Sequence, residues 1–291
     1  MKRIASSELI LNPDGSIYHL HLLPEQLADT VLVVGDPGRV PEVSKHFDRI
    51  DHRVCNREMT THTGWIGKKH LTVLSTGMGT DNIDIVLNEL DALVNIDLKE
   101  RTVNGNHKQL SIIRIGTSGG LQPDIPTDSL IASSHGIGLD GLLYFYADHA
   151  NAIDQDMTNA FIRHANWPDN LPSPYAVAAD PTLLNLIGKD IITAITCTSP
   201  GFYGPQGRQL RLNPSISKIN ELLTSFWYND MTIGNFEMET SALYGLGNLL
   251  GHKTLTVCAV VANRCRKEFS PNYKIAVERL IIHVLDRICL V

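Results

Sequence analysis

SIIRIGTSGG, residues 111–120, sets the reading of the whole chain. Ile112, Ile113 and Ile115 form a β-branched run too short for a helix, and glycines follow it. The pattern predicts a buried strand over 111–116 that ends in a glycine turn. Its one charge, Arg114, stands inside the strand. The same form recurs as TVLVVG at 30–35, LTVLS at 71–75, SLIASS at 129–134, AITCT at 194–198 and TLTVCAVVAN at 254–263. Helical patterns separate these runs. In DNIDIVLNELDALVN, 81–95, residues Ile83, Val86, Leu87, Leu90, Leu93 and Val94 share a face, with Thr80 or Asp81 as cap. Further helices are predicted over 238–251 and from Pro271 onward, where Ile275, Leu280, Val284 and Ile288 are spaced for packing. Strands alternating with helices predict an α/β fold, a three-layer α/β/α sandwich. No repeat, linker or charge block divides it, so residues 1–291 read as a single domain. The polar stretch KERTVNGNHKQ, 99–109, is expected to be a surface loop or insertion.

Composition narrows the function classes. The 291 residues are 43% hydrophobic, and 25 Lys plus Arg against 31 Asp plus Glu leave a net charge of -6. That balance offers no general attraction to nucleic acid or to an anionic membrane. Any phosphate must therefore be held locally. No apolar run suits a signal peptide or a membrane span, which predicts a cytoplasmic protein. Cys55, Cys197, Cys258, Cys265 and Cys289 are odd in number and lack CxxC spacing, so they read as reduced thiols, mostly in the core.

The familiar α/β signatures fail one by one. STGMGTDN, 75–82, begins like a dinucleotide fingerprint but has Asn82 in place of the third glycine. There is no GxxxxGK[ST] or HExxH. What recurs is a strand leading to glycine with an arginine nearby: Gly35 and Arg39 in VVGDPGRV, Arg114 and Thr117 in RIGTSGG. Glycine lets the backbone approach an oxyanion and arginine offers a forked donor, so two such turns can cup one phosphate. GNFEMETSALYGLG sets Glu237 and Glu239 at the start of a helix, where the macrodipole alone accommodates them and a sugar hydroxyl could also use them. CTSPGFYGPQGRQLR, 197–211, has the composition of a loop.

In order along the chain, GDPGR, NREMTTHTG, STGMG, RIGTSGG, LDG, FYGPQGR, EMET and VVANR resemble the nucleoside phosphorylase family, nearest its uridine phosphorylase branch. The likeness runs from His19 to Arg264, and FYxxQxR is its most specific part. It implies a mixed central sheet and a pentosyltransferase that splits uridine with phosphate, giving uracil and ribose 1-phosphate. Gly35, Arg39, Arg57, Arg114 and Thr117 would hold phosphate. His19, Thr117, Met238 and Glu239 would hold ribose, and Phe202, Gln206, Arg208 and Arg264 the base. Arg114, Arg208 and Glu239 would carry the catalysis. Arg57 and His19 would come from a neighbouring subunit, with His21 on the same strand face as His19. A homo-oligomer follows from this, at least a dimer, with a dimer and a trimer of dimers both left open. Some relatives bind a monovalent cation, K+, at positions matching Glu58, the Met78 carbonyl and Asn82, where serine is common. No redox cofactor or catalytic metal is implied, and phosphate is a co-substrate. Asn263 stands where purine-cleaving relatives carry an aspartic acid that protonates N7. The alternatives are a purine or broad-specificity nucleoside phosphorylase, or a catalytically silent nucleoside-binding protein.

Overall fold

The structure, a computed structural model, describes residues 2–289. The chain runs β1 (Thr30–Val34), α1 (Arg39–Ser44), β2 (Arg49–Asn56), β3 (Met59–Ile66), β4 (Lys69–Ser75), α2 (Thr80–Asn95), β5 (Ile96–Asp97), β6 (Thr102–Val103), β7 (Ser111–Gly120) and β8 (Leu130–Gly138). It continues with α3 (Gln155–Ala165), β9 (Tyr175–Ala178), α4 (Pro181–Ile187), β10 (Ile192–Thr198), α5 (Ile219–Ser225), β11 (Trp227–Tyr228) and β12 (Met231–Glu237). Last come α6 (Thr240–Leu249), β13 (Lys253–Asn263), β14 (Glu268–Phe269) and α7 (Tyr273–Cys289). Twelve strands join in one mixed sheet ordered β11-β12-β10-β8-β13-β7-β1-β4-β3-β2, with β9 on β8 and β14 on β13. Helices α2 and α6 pack together on one face, α4 and α7 together on the other. The fold is the expected α/β/α sandwich with a mixed sheet.

β7 is the hinge of this architecture. It runs parallel to β13 along its whole length, parallel to β1 only over Ser111–Arg114, and antiparallel to β12 at Gly119 and Gly120. Since β12, β10, β8 and β13 pair in succession, β7 closes them into a ring. Residues 115–118 lie between the two partners, where the sheet splits. Such a split beyond the strand ends is where α/β sheets place their ligands.

The glycine turn expected after Ile115 is instead continuous strand. Glycine is needed there for close packing: a methyl group on Gly119 would lie 3.2 Å from the Phe236 ring, and one on Gly116 would lie 2.0 Å from Arg114 Nη1. Val31 to Val34 of β1 and Ile112, Ile113 and Ile115 of β7 are fully buried. Each such side chain contributes roughly 1.5–3 kcal/mol.

Other expectations need correction. α2 has Gly79 as its N-cap, so Thr80 and Asp81 already lie inside the helix and there is no side-chain cap; the Gly79 N–H is taken by the distant Glu239. Ile275 is exposed, and α7 packs through Ala276, Val277, Leu280, Ile281, Val284, Leu285 and Ile288. Only Cys197 and Cys258 are buried; the other three cysteines lie on exposed positions outside the packed faces. The 99–109 stretch is largely exposed but opens on the small β5–β6 hairpin, from which Arg101 ties down the carbonyls of Ile4, Ala5 and Leu9.

Candidate active site

A cavity of about 770 Å³ occupies the split in the sheet. Gly35 follows the end of β1, Arg39 opens α1, and Arg114 and Thr117 come from β7; all four line it. Arg39 Nη1 reaches the Ile115 carbonyl at 3.5 Å. Burial and the nearby Arg114 lower the pKa of Arg39. Two guanidinium groups facing one wall repel each other, and a bound anion relieves that repulsion.

The opposite wall is the turn from β12 into α6. Glu237 ends the strand and accepts hydrogen bonds from the N–H groups of Glu239 (2.9 Å) and Thr240 (3.0 Å) and from Thr198 Oγ1 (2.8 Å). It thereby caps α6, leaving Glu239 free for the cavity. Glu239 accepts from the Gly79 N–H at 2.8 Å and pairs with Arg114 Nη2, while Arg114 Nη1 lies 3.2 Å from Glu237. Burial raises the pKa of Glu237, and Arg114 opposes that rise. For Arg114 burial works against the charge, but Glu239 and Glu237 outweigh it and raise its pKa. The arginine is therefore a permanent cation.

The third side is the loop after β10. A short 3-10 turn, Gly204–Gln206, buries Gln206, and Gly207 takes φ +67 before the chain reaches Arg208. Positive φ is where glycine is least strained. Arg208 Nη1 donates to the Phe202 carbonyl at 2.7 Å and to Gln206 Oε1. Its guanidinium lies 3.7 Å from the centre of the Phe202 ring. Arg264 Nη2 donates to the Gly207 carbonyl at 3.4 Å from behind. Burial, then Arg264, lowers Arg208 to about 10, which leaves it charged at neutral pH. Phe202 is 49% exposed and lines the cavity.

Met238, Glu58 and Met78 complete the set of sequence-predicted residues that line this cavity. His19, Arg57 and Asn82 do not line it. Arg57 lies over the Tyr18 ring, 5.4 Å from its centre, and Tyr18 meets the His19 ring edge-on at 4.7 Å. His21 does not share a strand face with His19, because the segment turns there: His21 has φ +55 and points Nε2 at Asp14.

Residues 29–288 match the phosphorylase superfamily. The chain belongs to the phosphorylase superfamily. A uridine phosphorylase of Thermococcus kodakarensis is 30% identical over 277 residues, 92% of this chain and 85% of that protein. One from Haemophilus influenzae is 26% identical over 262 residues, 89% of this chain and 90% of that protein. Among solved structures, a Trypanosoma brucei nucleoside phosphorylase described as showing uridine phosphorylase activity superposes with a TM-score of 0.88 at 28% identity, covering 98% of this chain and 100% of that one. A Toxoplasma gondii purine nucleoside phosphorylase shares the fold, with a TM-score of 0.68 at 18% identity over 96% of this chain and 97% of that one.

This phosphorylase also lines its cavity with Asp36, Phe236, Val261, Ala262 and Phe269, which the sequence did not single out. Phe236 precedes Glu237 in EMET's strand, and that adjacency was its one available signal. Phe269 arrives by pairing with Ala262 across β13 and β14, which nothing local announces. A larger cavity of about 960 Å³ backs onto the loop, sharing Arg208, but it is mostly apolar and has neither the glutamates nor Arg39 and Arg114. Among the described residues, Asp91, His107 and His252 form the one group with metal-like spacing, remote in sequence from these walls. His252 Nδ1 accepts the Leu110 N–H at 3.2 Å, so its proton sits on Nε2, facing Asp91 at 3.3 Å. A protonated nitrogen has no lone pair for a metal.

Proposed function

We propose that the protein is a cytoplasmic uridine phosphorylase, one folded unit per chain, that converts uridine and phosphate to uracil and ribose 1-phosphate. The observation that carries this reading is that one cavity gathers Arg39 and Arg114, the buried Glu239, and the Phe202, Gln206 and Arg208 set. These are a dianion site, a hydroxyl acceptor and a flat polar-edged ring site in turn. Phosphate draws Arg114 from its pairing with Glu239, which frees a carboxylate oxygen for a ribose hydroxyl. Arg39, Arg114 and the backbone at Gly35 and Thr117 then hold a phosphate oxygen below C1′ in a near-attack position. As that oxygen bonds to C1′, the bond from C1′ to N1 breaks and its electron pair leaves with uracil.

The leaving base is an anion. Arg208, charged at neutral pH, stabilises it without giving up a proton, and Gln206 matches the adjoining carbonyl and N–H. Arg264 holds the loop that presents both. Asn263 argues against the purine alternative, since its side chain is spent on the Gln122 and Ile125 carbonyls and on the Arg266 N–H. It has no group left to protonate a purine.

His19 and Arg57, held together beside Tyr18 and outside their own cavity, are read as donated to a neighbouring subunit, so the active unit is at least a dimer. Glu58 and Asn82 converge on Gly77, but Asn82 turns its amide nitrogen there. A half-turn of that amide would present its oxygen instead, and no step is routed through K+. Assaying uridine, thymidine, inosine and adenosine with phosphate tests the substrate. Uridine is expected to turn over fastest; preference for inosine or adenosine would restore the purine reading, and binding of uridine without turnover the silent one.

A further inference from the structure

We infer that Glu89 is a positioning residue for His19, fixing which ring nitrogen reaches the substrate. The inference rests on the reading above, in which His19 enters the neighbouring active site. Glu89 lies midway along α2 with its side chain only 13% exposed. Its carboxylate gathers a cluster of donors: the His19 N–H at 3.0 Å, the Leu20 N–H at 2.8 Å and His19 Nδ1 at 2.6 Å. Asn56 Nδ2 holds the His19 carbonyl from the other side at 2.9 Å. Backbone and ring of His19 are thus fixed by groups outside its own segment.

The chemistry sets the tautomer. An ionised carboxylate only accepts, so the short contact places a proton on Nδ1. Nε2 is left as the free nitrogen of the ring, with its lone pair outward in the neutral form. Such a nitrogen accepts a hydrogen bond from a hydroxyl, as a ribose presents. Carboxylates that orient an imidazole this way govern its tautomer and direction. His21 has a weaker arrangement: its partner Asp14 is itself exposed, and no backbone N–H of His21 is held by it. The structure thus distinguishes the two histidines, which the sequence could not.

The test is a double-mutant cycle on the full chain, reading kcat/KM for uridine at saturating phosphate. Glu89→Gln keeps the shape of the side chain but offers an amide to donors that need an acceptor. Glu89→Gln and His19→Ala are each expected to lower kcat/KM about tenfold, the scale seen when an imidazole loses its orienting partner. The double variant is expected to fall no further than His19→Ala alone. Light scattering and thermal melting should show unchanged assembly and fold, and the His19 ring ¹⁵N shifts should report Nδ1–H in the parent and a mixture in Glu89→Gln. Losses that multiply in the double variant, or a Glu89→Gln loss explained by a smaller oligomer, overturn the inference. So does a His19→Ala variant with full activity, although the phosphorolysis reading then stands. A parent protein that releases no uracil with phosphate overturns that reading first, and the two failures are told apart by assaying it alone.

Discussion

The two glycine-rich stretches of the site, RIGTSGG and SPGFYGPQGR, look alike in composition and do opposite work. The first is strand β7, almost wholly buried and paired to β13 along its whole length, with its glycines making room for Arg114 and Phe236. The second is a half-buried loop whose glycines bend the chain around Phe202, Gln206 and Arg208. One half of the cavity is therefore built into the core, and the other is hung on its surface. On the proposed reading, phosphate and ribose, common to all substrates of such an enzyme, fall to the half built into the core, and the base, which varies, falls to the loop.

That contrast predicts different failures. The largest effect is expected from Gly116→Ala, whose methyl would fall 2.0 Å from Arg114 Nη1 and 2.8 Å from Cys258 Sγ. It should cost about 1–3 kcal/mol of stability as an overpacked site and abolish measurable phosphorolysis, read by thermal melting and by uracil release. Next comes Arg208→Ala, for which kcat/KM for uridine should fall on the order of 100-fold while the KM for phosphate and the melting point hold. Equal losses in uridine and phosphate handling would break the division into two halves. Glu239→Gln should lower kcat/KM for uridine about tenfold and that for 2′-deoxyuridine less, because one charge-assisted hydrogen bond to a hydroxyl is removed. The smallest effect is expected from Phe202→Leu, which keeps an apolar surface but loses the ring face: KM for uridine should rise about threefold with little change in kcat.

The same division explains what could be read from sequence. The strands of the core announce themselves because burial on both faces demands runs such as TVLVV and SIIRI. Other strands do not: β2, at the sheet edge with alternating exposure, and β12, MTIGNFE, mostly buried but broken by Gly234 and Asn235, carry no such run. Arg39, Arg114, Glu239, Phe202, Gln206 and Arg208 were identified by likeness to a family, and all line one cavity. The continuation of β7 through Gly116, Gly119 and Gly120 was hidden, since glycine reads locally as a turn and here serves contacts with Arg114, Cys258 and Phe236. Phe269 and the Glu89 partnership of His19 were equally hidden. Both depend on pairings between segments far apart in the chain.

The most direct test is to incubate the protein with uridine, with and without inorganic phosphate, and to follow uracil and ribose 1-phosphate together. Phosphorolysis predicts uracil release that requires phosphate and is matched mole for mole by ribose 1-phosphate. Uracil released at the same rate without phosphate, with free ribose as the partner product, would contradict it.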